Sequence, residues 1–375
     1  MTARAQIAVL CRGAAASGGV AQVALRHCAE LAREFGVTLI SDSERPRALD
    51  ERVGFERVTP PSFALLRRFA HAPAEVAFAR AARQRLFALG GVSFVIAHGD
   101  VAAVLAGLRF RRARGVPFGF VTHGDMGERP ADAFDWRLAK LYRWAEKRSA
   151  RTADLVIALG PAMAGHARAR GATDDRIAIV PNGVGPRDIG VDDDHPRRFD
   201  GVPLSLLFVG RLAVEKGIGD LLEAMRMLPD VRLSIAGQGP LEASLPRLPN
   251  VTFLGAVPRA QLGALYRAAD VLVAPSISEA LPMVVLEALA AGTPVVACPA
   301  GDIPLVVRDG ENGLLVPPRD PQALANAIRS LAADRGRLRA LAANARPSVL
   351  PRFSWEATGA LLRDAVRARL RPTIA

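Results

Sequence analysis

The chain has 375 residues, enough for two domains of ordinary size with a core each. Hydrophobic residues make up 50%, yet no apolar run approaches the roughly eighteen residues a membrane helix needs, so a soluble or peripheral protein is expected. The net charge of +12 is uneven: residues 1–190 hold 28 Lys and Arg against 18 Asp and Glu, and residues 191–375 hold 21 against 19.

A basic first half is compatible with nucleic acid, an anionic membrane surface or an acidic substrate. Aromatic residues are only 5% and form no interleaved stacking platform, which argues against nucleic acid. The three cysteines, Cys11, Cys28 and Cys298, have neither metal nor redox spacing and read as reduced and buried, as in a cytosolic enzyme.

In chain order, Ile7 to Leu10 predicts a first strand. Its apolar run is too short for a secretory core of about seven to fifteen residues and stops at Cys11-Arg12. A small-residue loop over 13–19 leads into a helix over 20–35 with helical spacing through Val20, Val23, Leu25 and Leu31, and a strand follows at 37–40. This βαβ opening lacks Gly-x-Gly-x-x-Gly, so a dinucleotide fingerprint is absent. Gly18 and Gly19, just before the helix, either allow a phosphate close to the backbone or simply make a tight turn.

Residues 60–90 mix Phe63, Leu65, Leu66, Phe69, Phe78, Leu86, Phe87 and Leu89 with Arg67, Arg68, Arg80, Arg83 and Arg85. An interfacial segment on anionic lipid and ordinary helices over the first sheet both fit this pattern. A second basic run, Arg109, Arg111, Arg112 and Arg114, follows. Strands over 92–98 and 117–125 carry His98 and His123 at their carboxyl ends, the edge where doubly wound sheets hold ligands. A helix over 136–149, a strand over 154–159 and a helix over 163–170 lead to Pro181-Asn182-Gly183, a turn sequence.

Residues 185–201 read as a hinge broken by Pro186 and Pro196. Asp192-Asp193-Asp194 lies in it, away from any strand end, and reads as solvated charge rather than a metal motif; no metal is implied. A strand over 204–209 runs into Gly210-Arg211-Leu212-Ala213-Val214-Glu215-Lys216-Gly217, where Arg211 and Lys216 leave a glycine-punctuated strand end suited to a diphosphate, and a helix starts near Ile218. A strand over 232–236 precedes Gly237-Gln238-Gly239-Pro240, and another strand and turn span 251–257, ending at Val257.

A strand over 271–275 then enters a polar turn, a helix over 283–291 and a strand over 293–298. Glu279 sits in the turn, and Glu287 lies eight residues on in an apolar helix. Either the helix turns Glu287 to water, or something such as ribose hydroxyls pairs with it.

The stretch 276–298, with the 210–217 loop, resembles the retaining GT-B glycosyltransferases of the Glu-x7-Glu, family 4 type, which include bacterial mannosyl- and glucosyltransferases of cell-envelope glycans. The likeness extends to His123-Gly124, Pro181-Asn182-Gly183, the strands expected over 301–307 and 309–316, and a last helix after Phe353-Ser354-Trp355-Glu356. It implies an α/β fold of two Rossmann-like doubly wound domains facing across a cleft: 1–185 on the acceptor side, a linker over 186–201, 202–352 binding the nucleotide sugar, and 353–375 crossing back to the first domain.

By this resemblance His123 and Glu279 flank the donor sugar, Arg211 and Lys216 neutralise the diphosphate, and Glu287 holds the ribose. Gly18, Gly19 and His98 line the first domain's side of the site. Gly237 lies beneath the nucleoside, Val257 meets the base, and Ala280, Leu281, Pro282 and Met283 bring a helix start to the donor. The implied donor is UDP- or GDP-linked, the acceptor a glycan or lipid-linked hydroxyl, with an anionic membrane surface as a further partner. No nucleic acid, cofactor or metal is expected, and the setting is cytoplasmic or on the inner face of the membrane. Two departures touch sugar recognition: Leu305 stands where an acidic residue is usual, and Ala280-Leu281-Pro282 replaces the commoner Gly-Phe-Gly. A catalytically silent nucleotide-sugar binder and a nucleotide-sugar epimerase are the alternatives.

Overall fold

The computed structural model describes residues 4–16, 18–59, 71–99, 101–123, 136–185, 188, 199 and 202–370, with side chains from 75 in the second helix and from 143 in the fourth. The chain divides into two units, one formed by Met1–Asn182 with Thr358–Ala375, the other by Gly183–Ala357.

In the first unit the elements are β1 (Gln6–Leu10), α1 (Gly19–Leu31), β2 (Gly36–Ser41), β3 (Gly54–Arg57), α2 (His71–Ala88), β4 (Val92–His98), α3 (Val101–Arg114), β5 (Phe118–Thr122), α4 (Trp136–Thr152), β6 (Leu155–Ala158), α5 (Pro161–Ala169) and β7 (Ile177–Ile179). Among the described residues they build a seven-stranded sheet in the order β3-β2-β1-β4-β5-β6-β7. Every neighbouring pair in it is parallel. β1 and β6 are apolar almost throughout because helices cover both faces of such a sheet.

The inner side of α2, with Phe78, Ala79, Ala82 and Leu86, is buried on the sheet, so this part of the 60–90 segment is a covering helix. Phe63, Leu65, Leu66, Arg67, Arg68 and Phe69 lie outside the described residues. Of the second basic run, Arg111 is spent inside the fold, held bidentately by Asp154 at 2.6 and 2.7 Å, and Arg114 lies over the Phe87 ring.

The second unit contains β8 (Leu204–Val209), α6 (Ile218–Arg226), β9 (Val231–Ala236), β10 (Val251–Gly255), α7 (Arg259–Ala268), β11 (Val271–Ala274), α8 (Met283–Ala290), β12 (Val295–Ala297), β13 (Gly313–Leu315), α9 (Pro321–Ala333) and α10 (Arg335–Val349). Its six strands, again among the described residues, run in the order β10-β9-β8-β11-β12-β13, all neighbours parallel. The region expected as two closing strands is shorter: Ile303–Leu305 is a 3-10 turn opening on Pro304, and only Gly313–Leu315 joins the sheet. Proline lacks the N–H that a ladder position needs.

The last two helices of this unit share one residue as punctuation. Asp320 accepts from the Ala323 N–H to start α9, and Asp334, just past the end of α9, accepts from the Arg337 N–H to start α10. A final helix, α11 (Trp355–Arg367), begins in the second unit and ends in the first, where Arg363 and Arg367 bond Glu30 and Glu34 at 2.6 Å each. The linker residues Asp192, Asp193 and Asp194 lie outside the described residues.

Candidate active site

In both sheets strand order reverses beside the first strand of the unit, at β1/β4 and at β8/β11. Loops leaving the carboxyl ends of those strands diverge there and open a crevice. Each sequence-derived site residue can be placed by this edge.

In the second unit the loop after β8 carries Arg211 and Lys216, and the loop after β11 carries Glu279. Lys216 Nζ donates to Glu279 Oε1 at 2.5 Å across the switch point. Arg211, less than half exposed, pairs with Glu215 one turn on. The loops are tied by backbone as well: the Ile277 N–H donates to the Glu215 carbonyl and the Asp302 N–H to the Ala280 carbonyl. Gly237 closes the same edge. It lies at φ +152°, and a Cβ there would come 1.8 Å from the Gly210 carbonyl, so only glycine lets the loops after β8 and β9 touch.

Ala280, Leu281 and Met283 are buried by their side chains, so what these residues can offer a ligand is backbone. Helix α8 starts at Pro282 with neither a side-chain cap nor an acidic residue in its first turn. An uncapped helix start carries partial positive charge suited to an anion. Lys216, Arg211 and this helix start are therefore brought to one edge. Val257 is half-buried beyond β10, two residues ahead of α7.

Glu287 is 1% exposed. Its carboxylate is met inside the protein by Arg259 at 2.6 Å and by the Tyr266 hydroxyl, which donates at 2.8 Å. Burial, then the Glu287 charge, pushes the Tyr266 phenol well above its usual range, so it stays a donor. Neither helical wetness nor ribose is needed to explain the buried carboxylate: α7 supplies its partners. Arg259 and Tyr266 were not singled out by sequence, because only the α7–α8 contact reveals that they face Glu287.

In the first unit the loop after β1 is anchored by the end of β2. Gly13, Ala14 and Ala15 donate their N–H groups to Asp42, Ser41 and Ser43 at 2.7, 3.2 and 3.1 Å. Those amides are thereby committed. Gly18 and Gly19 differ: they open α1 without a side-chain cap, and a Cβ at either would meet no atom of the described residues within 4 Å. His98 is buried at the end of β4, and His123 follows β5; His98 Nδ1 and His123 Nε2 are 3.1 Å apart. His27, on α1, joins them with its ring 5.1 Å from that of His98. It went unremarked in the sequence, where a histidine amid helical apolar residues carries no signal.

Residues 17–187 match the family model described as Glycosyltransferase Family 4, and residues 203–334 match that described as Glycosyl transferases group 1. Each half of the chain is thus similar to a glycosyltransferase domain. It is 39% identical over 241 residues to a D-inositol 3-phosphate glycosyltransferase of Segniliparus rotundus, covering 58% of this chain and 53% of that one. It is 33% identical over 209 residues to a glycosyltransferase of Methanocaldococcus jannaschii, covering 49% and 52%. The chain thus spans about half the length of these curated relatives.

Among solved structures, sucrose-phosphate synthase from Thermosynechococcus elongatus superposes with a TM-score of 0.80 at 25% identity, covering 97% of this chain and 99% of the other. Anabaena HepE, in complex with UDP-glucose, superposes with a TM-score of 0.73 at 21% identity over 97% and 99%. These neighbours have the GT-B fold, and the two parallel-sheet units of this chain are the Rossmann-like domains of that fold. No helix among its described residues is long and apolar enough to cross a membrane.

Proposed function

We propose that this protein is a retaining glycosyltransferase that moves a hexosyl group from a nucleoside-diphosphate sugar, UDP- or GDP-linked, to a hydroxyl of a glycan or lipid-linked acceptor. The observation that carries this reading is the convergence of Lys216, Arg211 and the uncapped start of α8 at the switch point of the second unit, with Glu279 bonded to Lys216. The hard part of transfer is the charge that collects on the departing diphosphate. Two cations and a helix start aimed at it stabilise the transition state without a metal.

In this reading the diphosphate takes the place of the carboxylate partners of Arg211 and Lys216, and the freed Glu279 accepts hydroxyls of the donor sugar. The anomeric C–O bond to the diphosphate breaks as the acceptor oxygen bonds to the same face of that carbon, and the acceptor proton passes to the leaving phosphate. The second unit binds the donor, the first supplies the acceptor side, and His123 contacts the donor sugar. A UDP-glucose complex of HepE supports the donor class. The exposed Arg109 and Arg112 on α3 suit an anionic acceptor or membrane surface, which favours cell-envelope assembly on the cytoplasmic face.

A catalytically silent nucleotide-sugar binder is the second reading, favoured by the departures Ala280-Leu281-Pro282 and Leu305 beside the donor-sugar positions. One experiment separates the two: nucleoside-diphosphate release from UDP-, GDP- and ADP-sugars, with and without anionic liposomes, with Lys216→Ala as control. Release from one donor, lost in the variant, supports transfer. Nucleotide binding without release across donors and acceptors supports the silent binder, and a changed sugar on an intact nucleotide would indicate an epimerase.

A further inference from the structure

Three histidines from three elements meet beneath the first unit's ligand edge. His98 ends β4, His123 follows β5 beside it in the parallel ladder, and His27 comes from α1. The His27 and His98 rings meet edge to face at 5.1 Å and 61°, and the His98 and His123 rings lie 5.3 Å apart at 35°. Among the described residues none of the three bonds to any carboxylate or cation, and their one hydrogen bond joins His98 Nδ1 to His123 Nε2 at 3.1 Å. The other His98 nitrogen, Nε2, is buried with no hydrogen-bond partner among the described residues. Burial keeps the cluster neutral: it lowers His123 to about 4, and His98 well below the usual value.

Between two neutral imidazoles a hydrogen bond forms only if one of the two facing nitrogens carries a proton and the other does not. The tautomers of the two rings are therefore coupled. If His98 donates, the proton of His123 must be on its own Nδ1; if His123 donates, its Nδ1 is bare. Exchanging one arrangement for the other requires both rings to change together, and the buried Nε2 of His98 has no partner among the described residues through which to do so. Ring orientation is restricted as well. Gly99, at φ +53°, passes so close that a Cβ there would lie 3.1 Å from His123 Cδ2 and 2.9 Å from Val20 Cγ1.

We propose that His98 is a positioning residue: through this bond it holds His123 in a single neutral tautomer and a single ring orientation, with Nδ1 directed away from the cluster as its ligand-facing group. Such preorganisation gives a hydrogen-bonding group of defined polarity rather than an acid or base that titrates near neutrality. The lock stands on geometry; that Nδ1 meets a donor sugar rests on the glycosyltransferase reading.

The test is long-range proton–nitrogen NMR of the imidazoles in the full-length protein at pH 7, with His123→Gln identifying the His123 signals. The expected result is one fixed neutral tautomer for His123 in the wild type, averaging between tautomers in His98→Leu, and a fixed tautomer again in His98→Asn, whose amide sits near the lost Nδ1. In the same variants, the turnover number with the active nucleotide sugar should fall about tenfold for His98→Leu with little change in KM, and recover in part for His98→Asn. A His123 that averages in the wild type overturns the proposal, as does an unchanged tautomer in a folded His98→Leu. If His98→Leu does not fold, the wild-type spectrum decides. A lock observed without turnover on any donor upholds the positioning role and counts against the transferase reading.

Discussion

His27 is 2% exposed, and neither of its ring nitrogens has a hydrogen-bond partner among the described residues. Burial, reinforced by His123, lowers its pKa from 6.5 to about 3. Between those values the unfolded chain binds a proton that the folded chain refuses, so its contribution is complete above about pH 6.5 and falls as pH drops, by about 1.4 kcal/mol per unit. Urea midpoints should therefore decline from pH 7 to pH 5, with a shallower slope in His27→Leu; equal slopes would remove His27 from the account. Lys216 makes a different kind of contribution. Its ammonium is a charge-assisted contact of about 1.5–3 kcal/mol to a diphosphate, so Lys216→Ala should lower turnover about tenfold to a hundredfold. Wild-type turnover from a folded Lys216→Ala would dismiss the diphosphate role. The residue types at 211, 216, 279 and 287 were readable as a pattern, whereas the partners of Glu287 were not, because Arg259 and Tyr266 lie 28 and 21 residues away and meet it only when α7 packs on α8.

At the scale of elements, that contact joins α7 to α8 through a buried carboxylate. Removing the partly exposed guanidinium leaves a buried carboxylate with one neutral donor, so Arg259→Ala should destabilise the second unit by about 1.5–3 kcal/mol. The double variant Arg259→Met, Glu287→Leu should recover most of that loss, since apolar groups can replace a buried pair at little cost. Thermal melting of the three proteins checks this, and a double variant as unstable as Arg259→Ala would contradict it. Gly237→Ala should be harsher, because its Cβ would overlap the Gly210 carbonyl and no flexible side chain can yield. Long apolar strands and the 283–290 helix were legible from periodicity. Strand β3, with two of its four residues exposed, was not, and neither was α7, which buries only Gly263 and Tyr266 and so carries little apolar periodicity.

At the scale of the whole molecule, α11 leaves the second unit and completes the first. Arg363 reaches Glu30, which is 9% exposed, and Gly359 lies so near Glu30 that a Cβ would come 2.4 Å from its carboxylate. Cutting the chain after Ala357 should therefore lower the stability of the first unit, although 175 residues of the second unit separate the helix from it in sequence. Hydrogen exchange in α1 of full-length and truncated chains would show this, and unchanged protection would refute it. A nucleoside diphosphate should act on the other unit. At a hundred times its Kd it adds about 2.7 kcal/mol, which protection confined to the strand ends after β8 and β11 would register.

What the sequence by itself determined is whatever is written locally: alternation of strand and helix, glycine-marked strand ends, two carboxylates eight residues apart, and cations where a diphosphate could be held. These follow from side-chain periodicity and backbone freedom, which act over a few residues. What only the tertiary structure decided is pairing. The Lys216–Glu279 contact, the burial of Glu287 against α7, the commitment of the Gly13–Ala15 amides to β2 and the meeting of His27, His98 and His123 each join segments distant in the chain. Charge and proton position there depend on what burial places alongside each group, and burial is a property of the packed fold.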